Sequence, residues 1–158
     1  MGGDSNVRWR LLGVAAVLSA VALYWAFAGR IAPCAIGQTD EYLQKTVAAL
    51  DITIELELKL SVALIGGGIA LLLGLKSGVE MSPYSRTALL IAIMLFAESA
   101  LLGTWWRLGL ANAWFNKCLN IVAGDMLQRT FNWSLYFFLA GLAAALAMLI
   151  MAVTQRRE

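Results

Sequence analysis

The chain has 158 residues, 61% of them hydrophobic and only 14% charged, whereas soluble domains run at roughly 45 to 50% apolar, so water is not its main solvent. The 12 basic and 10 acidic residues leave a net charge of +2, too balanced to give the electrostatic footprint of a nucleic-acid binder. Histidine is absent altogether, which removes the commonest ligand for haem iron and transition metals and the commonest general base.

Spans of about 20 mostly apolar residues cross a bilayer as helices, and four such segments are expected, over residues 11–28, 58–75, 84–106 and 131–153. In the first, Arg8 and Arg10 precede an apolar run ending in Ala26-Phe27-Ala28, a pattern that resembles a cleaved secretory leader. The run is long for a leader, and Tyr24 and Trp25 suit an interfacial aromatic belt, so it is read as a retained crossing. Trp9 marks the opposite interface.

Residues 29–57 form the first expected outer loop, with Cys34 in it and Thr39, Asp40 and Glu41 placed to cap a further helix. From Asp51 to Val62 polar and apolar residues alternate, which argues for a half-buried strand. Against that, Leu, Glu and Lys are good helix formers, no breaker separates this segment from the crossing that follows, and Glu55 precedes Lys59 at the favourable helical spacing. One long helix from about Asp40 to Leu75 is therefore expected. The acids Asp40, Glu41, Asp51, Glu55, Glu57 and Asp125 lack EF-hand spacing and are read as solvated charges, with no metal among them.

The second crossing contains Gly66, Gly67 and Gly68, followed by Ala70 and Gly74. Small residues let helix backbones approach closely in lipid. The fourth crossing offers Ala140, Gly141, Ala143, Ala144, Ala145 and Ala147 as its match, and a seam between copies of the chain is the other use for such a face.

Ser82 before Pro83 marks the start of the third crossing, in which the stretch Thr87 to Trp106 is broken only by Glu98. An acid at the centre of a spanning helix costs roughly 2.5 to 3.5 kcal/mol on insertion scales and by default marks a functional position. Three roles are open to it: a structural acid bonded to Ser99, Ser61, Ser19 or Tyr24, a proton or cation relay along a wet path, or a partner for a basic group on another subunit. Arg107, nine residues along, is roughly 13 Å away by helical rise, so no basic group of this chain is expected at that depth.

Residues 107–130 form the second outer loop. Trp105, Trp106 and Arg107, with Trp114 and Phe115 following, are denser than membrane anchoring requires and suit a contact surface for a partner or a lipid headgroup. Trp114 to Ile121 reads as a short interfacial helix. Cys118 shares this side with Cys34, and the pair suits a disulfide in an oxidising compartment. Gly124 and Asp125 end one helix and cap the next, which runs from about Met126 to Val153.

Basic residues are denser on the short segments at Arg8, Arg10, Lys76, Arg86, Arg156 and Arg157, which places both termini in the cytoplasm of a plasma or bacterial inner membrane. The expected architecture is all-α, a single tetraspan four-helix domain over residues 1–158 with short helices in its two outer loops. No nucleophile or cofactor motif is present, which points away from an enzyme. The expected function is assembly, with itself or with another membrane protein, through the outer loops and small-residue helix faces. The alternative is an ion- or proton-conducting channel or transporter component that uses Glu98.

Overall fold

The computed structural model describes residues 3–28, 41–74, 82–116, 118 and 124–155, and is all-helical over them. Four helices follow in chain order: α1 (Gly3–Phe27), α2 (Glu41–Leu72), α3 (Pro83–Phe115) and α4 (Asp125–Gln155). Three stretches are long and apolar enough to cross a membrane, Asn6–Phe27, Pro83–Phe115 and Asp125–Thr154, which suggests a membrane location. The second expected crossing is apolar only from Leu60 onward within α2, because Glu41, Lys45, Asp51, Glu55, Glu57 and Lys59 occupy its first half.

Local signals account for most boundaries. Ser82 is extended (φ −61°, ψ 156°) and its hydroxyl accepts from the Ser85 amide at 3.2 Å, with Pro83 opening α3 where its missing N–H costs nothing. Asp125 stands in the first turn of α4 and Glu41 in that of α2, each favourable against the positive helix end. After α2, Gly74 takes φ +68°, a left-handed value that side chains resist, and its amide reaches back to the Leu71 carbonyl at 3.1 Å.

The alternating segment 51–62 is helical, as expected from its residue types, and lies inside α2. Its buried positions are Val47, Ile54, Glu57, Ser61 and Gly68, a stripe at steps of seven, three and four. Ion pairs Glu41–Lys45 (2.8 Å) and Glu55–Lys59 (2.6 Å) one turn apart support the solvent side.

The outer loops are shorter than the sequence suggests. Residues 41–57 belong to α2, and α3 runs on to Phe115, so Trp114 and Phe115 end a long helix instead of opening a separate interfacial one. Asn116 closes α3, its amide and its side-chain nitrogen both donating to the Asn112 carbonyl. Thr39, the expected cap of α2, and Asn120 and Ile121, at the far end of the expected interfacial helix, lie outside the described residues.

Helices α3 and α4 form the largest interface, with α2 laid on α3 and α1 along the edge of the α3–α4 pair. One core cluster joins Val47 and Ile54 of α2, Trp106, Leu110 and Ala113 of α3, and Leu127 of α4. A second joins Ala26 of α1, Leu102 of α3 and Phe137 of α4. Most of α1 is uncovered, including Val14, Val17, Leu18 and Trp25.

Candidate functional site

Glu57 occupies the centre of the bundle. Placed on the inward stripe of α2 by its spacing from Ile54 and Ser61, it is only 4% exposed, which corrects its reading as a solvated charge. Ser99 of α3 donates to its Oε1 at 2.5 Å, and Ser134 of α4 contacts the same oxygen. The Ser134 hydroxyl also lies 3.0 Å from the Ser99 carbonyl, and Ser61 Oγ lies 3.5 Å from Ser99 Oγ. All three serines are fully buried. Hence three helices each place a hydroxyl around one carboxyl, opposite the middle of the apolar stretch of α3.

The neighbouring positions make room for this layer. Gly103, one turn beyond Ser99, has the Ile54 methyl and the Ser134 hydroxyl each 3.4 Å from where its Cβ would stand. A larger residue there would press on both. Glu57 Oε2 is buried and has no hydrogen-bond partner among the described residues. An orphaned buried oxygen of this kind costs about 1 to 3 kcal/mol, more if charged, so its retention calls for a reason beyond packing.

Glu98 is adjacent to Ser99 in sequence but is turned the other way, toward α1, where Ser19 is its hydrogen-bond partner. Of the hydroxyls suggested for it, Ser19 serves Glu98, whereas Ser61 and Ser99 belong to the Glu57 layer. Its Oε2 is likewise buried and unpartnered among the described residues. Two carboxyls, each with a buried oxygen unpartnered among the described residues, thus stand beside Ser99 at one level of α3.

Farther out along α3, Arg107 grips Asp51 of α2 through two parallel bonds, Nε to Oδ1 at 2.7 Å and Nη2 to Oδ2 at 3.0 Å, and reaches Glu55 at 3.5 Å. The guanidinium is about a third exposed, so solvent screening holds such a pair to about 1 kcal/mol. Its charge is engaged within the chain by Asp51 and Glu55. A cavity of about 430 Å³ beside this pair is lined by Asp51, Arg107, Leu110, Ala111, Trp114 and Phe115.

The aromatic surface expected at this end divides in two. Trp106 is 1% exposed and packs in the core against Phe131 with ring centroids 5.8 Å apart, which removes it from any contact surface. Helical phase is the cause: Trp106 continues the buried series Phe96, Ser99, Gly103 and points inward. Trp105, Trp114 and Phe115 stay exposed, Trp105 with its ring edge against Phe27.

The glycines divide as well. Gly68 is buried against Ile93 and Leu89 of α3, while Gly66 and Gly67 have nothing within 4 Å of where a Cβ would stand. Gly141 of α4 faces Phe96 of α3, so the two small-residue faces receive side chains of α3 and do not pair with each other. An apolar groove of about 410 Å³ remains between α2 and α4, floored by Leu89, Ala92, Ile93 and Phe96 of α3. Cys118 is buried at the end of α3, and no cysteine is free among the described residues. Cys34 lies outside them.

No cluster of His, Cys, Asp and Glu suited to a metal ion occurs among the described residues. The chain matches no protein-family model, no curated protein and no solved structure.

The Glu57 layer was legible in part. Once 51–62 is taken as helix, Ile54, Glu57, Ser61 and Gly68 fall on one line, and a hydroxyl four residues after an acid on an otherwise apolar stripe is the signal that could have found it.

Proposed function

We propose that this chain is a membrane-embedded component that takes up and releases a proton or small cation on carboxyls inside its helical bundle, with Glu57 as the central group and Glu98 as the second. The single observation that carries this reading is Glu57, sealed among three helices with one oxygen held by serines and the other unpartnered. A fold that needed only packing would be as stable, or more so, with an apolar residue there. An ionisable group kept at such cost inside a span is by default a functional one. On this reading α2 crosses the bilayer with the other three helices, both termini are cytoplasmic, and the membrane is a plasma or bacterial inner membrane.

The test is proton uptake by vesicles carrying the purified chain, driven by an imposed potential and read with an internal pH-sensitive dye. Glu57→Gln keeps the shape and loses the titrating group, so uptake should fall to that of protein-free vesicles. Glu98→Gln should lower it too. Wild-type uptake no faster than in protein-free vesicles, or an unchanged rate in both variants, would reject the reading.

A second reading, assembly with a copy of itself or another membrane protein, is favoured by a separate observation. Gly66 and Gly67 present an open small-residue face, and Trp105, Trp114 and Phe115 stay exposed at the end of α3. Gly66→Leu should split an oligomer held at that face while leaving the monomer folded, as read by native mass spectrometry from detergent. Trp106 is excluded from such tests, because changing it would disturb the core.

Within either function we propose that Cys34 and Cys118 are bonded to each other, clamping the outer ends of α2 and α3. Alkylation of the denatured protein should then modify both cysteines only after reduction. Labelling of either one without a reductant would exclude the bridge.

A further inference from the structure

The geometry points to a proton, and not a metal cation, as the species held at Glu57, with Ser134 as the hydroxyl that relays its hydrogen bond to the Ser99 carbonyl. This rests on the functional reading above and names what that site holds.

Four oxygen–oxygen contacts make up the layer: Ser99 to Glu57 Oε1, Ser134 to the same oxygen, Ser134 to the Ser99 carbonyl, and Ser61 to Ser99. Each needs one hydrogen between its oxygens, and a hydroxyl carries only one. Ser61, Ser99 and Ser134 together supply three. With Glu57 ionised, Ser99 and Ser134 both donate to Oε1, Ser61 donates to Ser99, and the 3.0 Å contact from Ser134 to the Ser99 carbonyl is left with two lone pairs facing each other. With Glu57 protonated on Oε1, every contact is filled. The carboxyl donates to Ser134, Ser134 donates to the Ser99 carbonyl, Ser99 donates back to the carboxyl, and Ser61 donates to Ser99.

A metal ion fits the same oxygens poorly. Divalent-cation sites gather carboxylates, whereas Glu57 brings the single carboxyl to this layer, and no group of His, Cys, Asp and Glu suited to a metal ion occurs among the described residues.

Release is balanced within the layer. The carboxyl O–H bond breaks with its electron pair left on Oε1, the proton passes to a water molecule, and the Ser134 hydroxyl turns from the Ser99 carbonyl to Oε1 with its own O–H bond intact. The anion then keeps two hydroxyl donors. The groups facing Glu57 from α3 and α4 are the hydroxyls of Ser99 and Ser134. Of the other charged residues on the packed helices, Asp51, Glu55 and Lys59 on α2 and Arg107 on α3 lie toward one end, Glu98 is turned to Ser19 of α1, and Glu41, Lys45, Arg86, Asp125 and Arg129 stand farther along their helices.

Infrared spectroscopy of the full chain in lipid vesicles at neutral pH tests this, since the carbonyl band of a protonated carboxyl is separate from the carboxylate bands. Glu57→Gln should remove a protonated-acid band. Ser134→Ala should shift that band, and Ser134→Thr, which keeps the hydroxyl, should restore it. Exchange of potassium for sodium in the medium should leave it in place. Loss of carboxylate intensity in Glu57→Gln instead, or a band that titrates with sodium, would overturn the assignment. Proton uptake in the same vesicles separates the two claims: an acid band lost with uptake unaltered supports the proton at Glu57 and removes the transport reading. Uptake lost together with carboxylate intensity removes the proton assignment alone.

Discussion

Trp106→Ala should lower the stability of the folded chain by about 3 kcal/mol, the low end of the range for truncating a buried aromatic. The indole is 1% exposed and stands where three helices meet, touching the cluster of Val47, Ile54, Leu110, Ala113 and Leu127 and tilted over Phe131. In water, part of such a loss is the transfer of apolar surface; in lipid or detergent that part shrinks, because the surroundings are as apolar as the core. The remainder is the cavity. Its lining atoms lose contacts that acyl chains outside the bundle cannot replace. The adjacent Trp105, half exposed with one edge contact to Phe27, has little to lose, so Trp105→Ala should cost under about 1.5 kcal/mol. Denaturant titration in one detergent compares the two. Equal losses would mean that the α2–α3–α4 junction is not built around Trp106.

The contrast between these neighbours shows where the sequence was informative. The four long helices were readable from apolar length, and the starts of α3 and α4 from Ser82-Pro83 and Asp125, because each acts through its own segment. The inner direction of each helix was not, since a helix that is apolar around most of its circumference carries no strong contrast between lipid side and core side. Trp105 and Trp106 were therefore indistinguishable until α4 was in place. Glu98 stood out because it is the one charge between Thr87 and Trp106, whereas Glu57 was hidden among Asp51, Glu55 and Lys59, which do remain at the surface. The partners of a buried acid lie on other helices, at separations along the chain of 42 residues for Ser99 and 77 for Ser134, where no local pattern reaches. Arg107 was separated from Asp51 in the same way, by 56 residues, and so looked available to a partner.

Gly141→Leu should destabilise the bundle by about 1 to 3 kcal/mol, the usual cost of forcing extra atoms into a packed interior. A Cβ at position 141 would stand 2.8 Å from Phe96 Cε1 and within 3.1 Å of two further ring atoms. The ring cannot easily give way, because Phe96 is 2% exposed and packs at an angle against Phe138, 5.8 Å between centroids. Either α4 must move off α3 or the ring must leave its place, and both spoil the largest interface in the molecule. Gly66→Ala should act in the opposite direction. Nothing lies within 4 Å of its added methyl, and an alanine in a helix interior is worth about 0.5 to 1 kcal/mol over glycine. Denaturant titration in a detergent that keeps the chain monomeric should therefore give opposite signs for two glycines that the sequence presents as equivalent. The reason is that a small residue in a spanning helix is a recess, and what it does depends on what enters it. At Gly141 that is an aromatic ring of the same chain, which makes the glycine a structural requirement. A destabilised Gly66→Ala monomer would show that α2 sits closer to a neighbouring helix than its open face implies, and would remove the face on which the assembly reading depends.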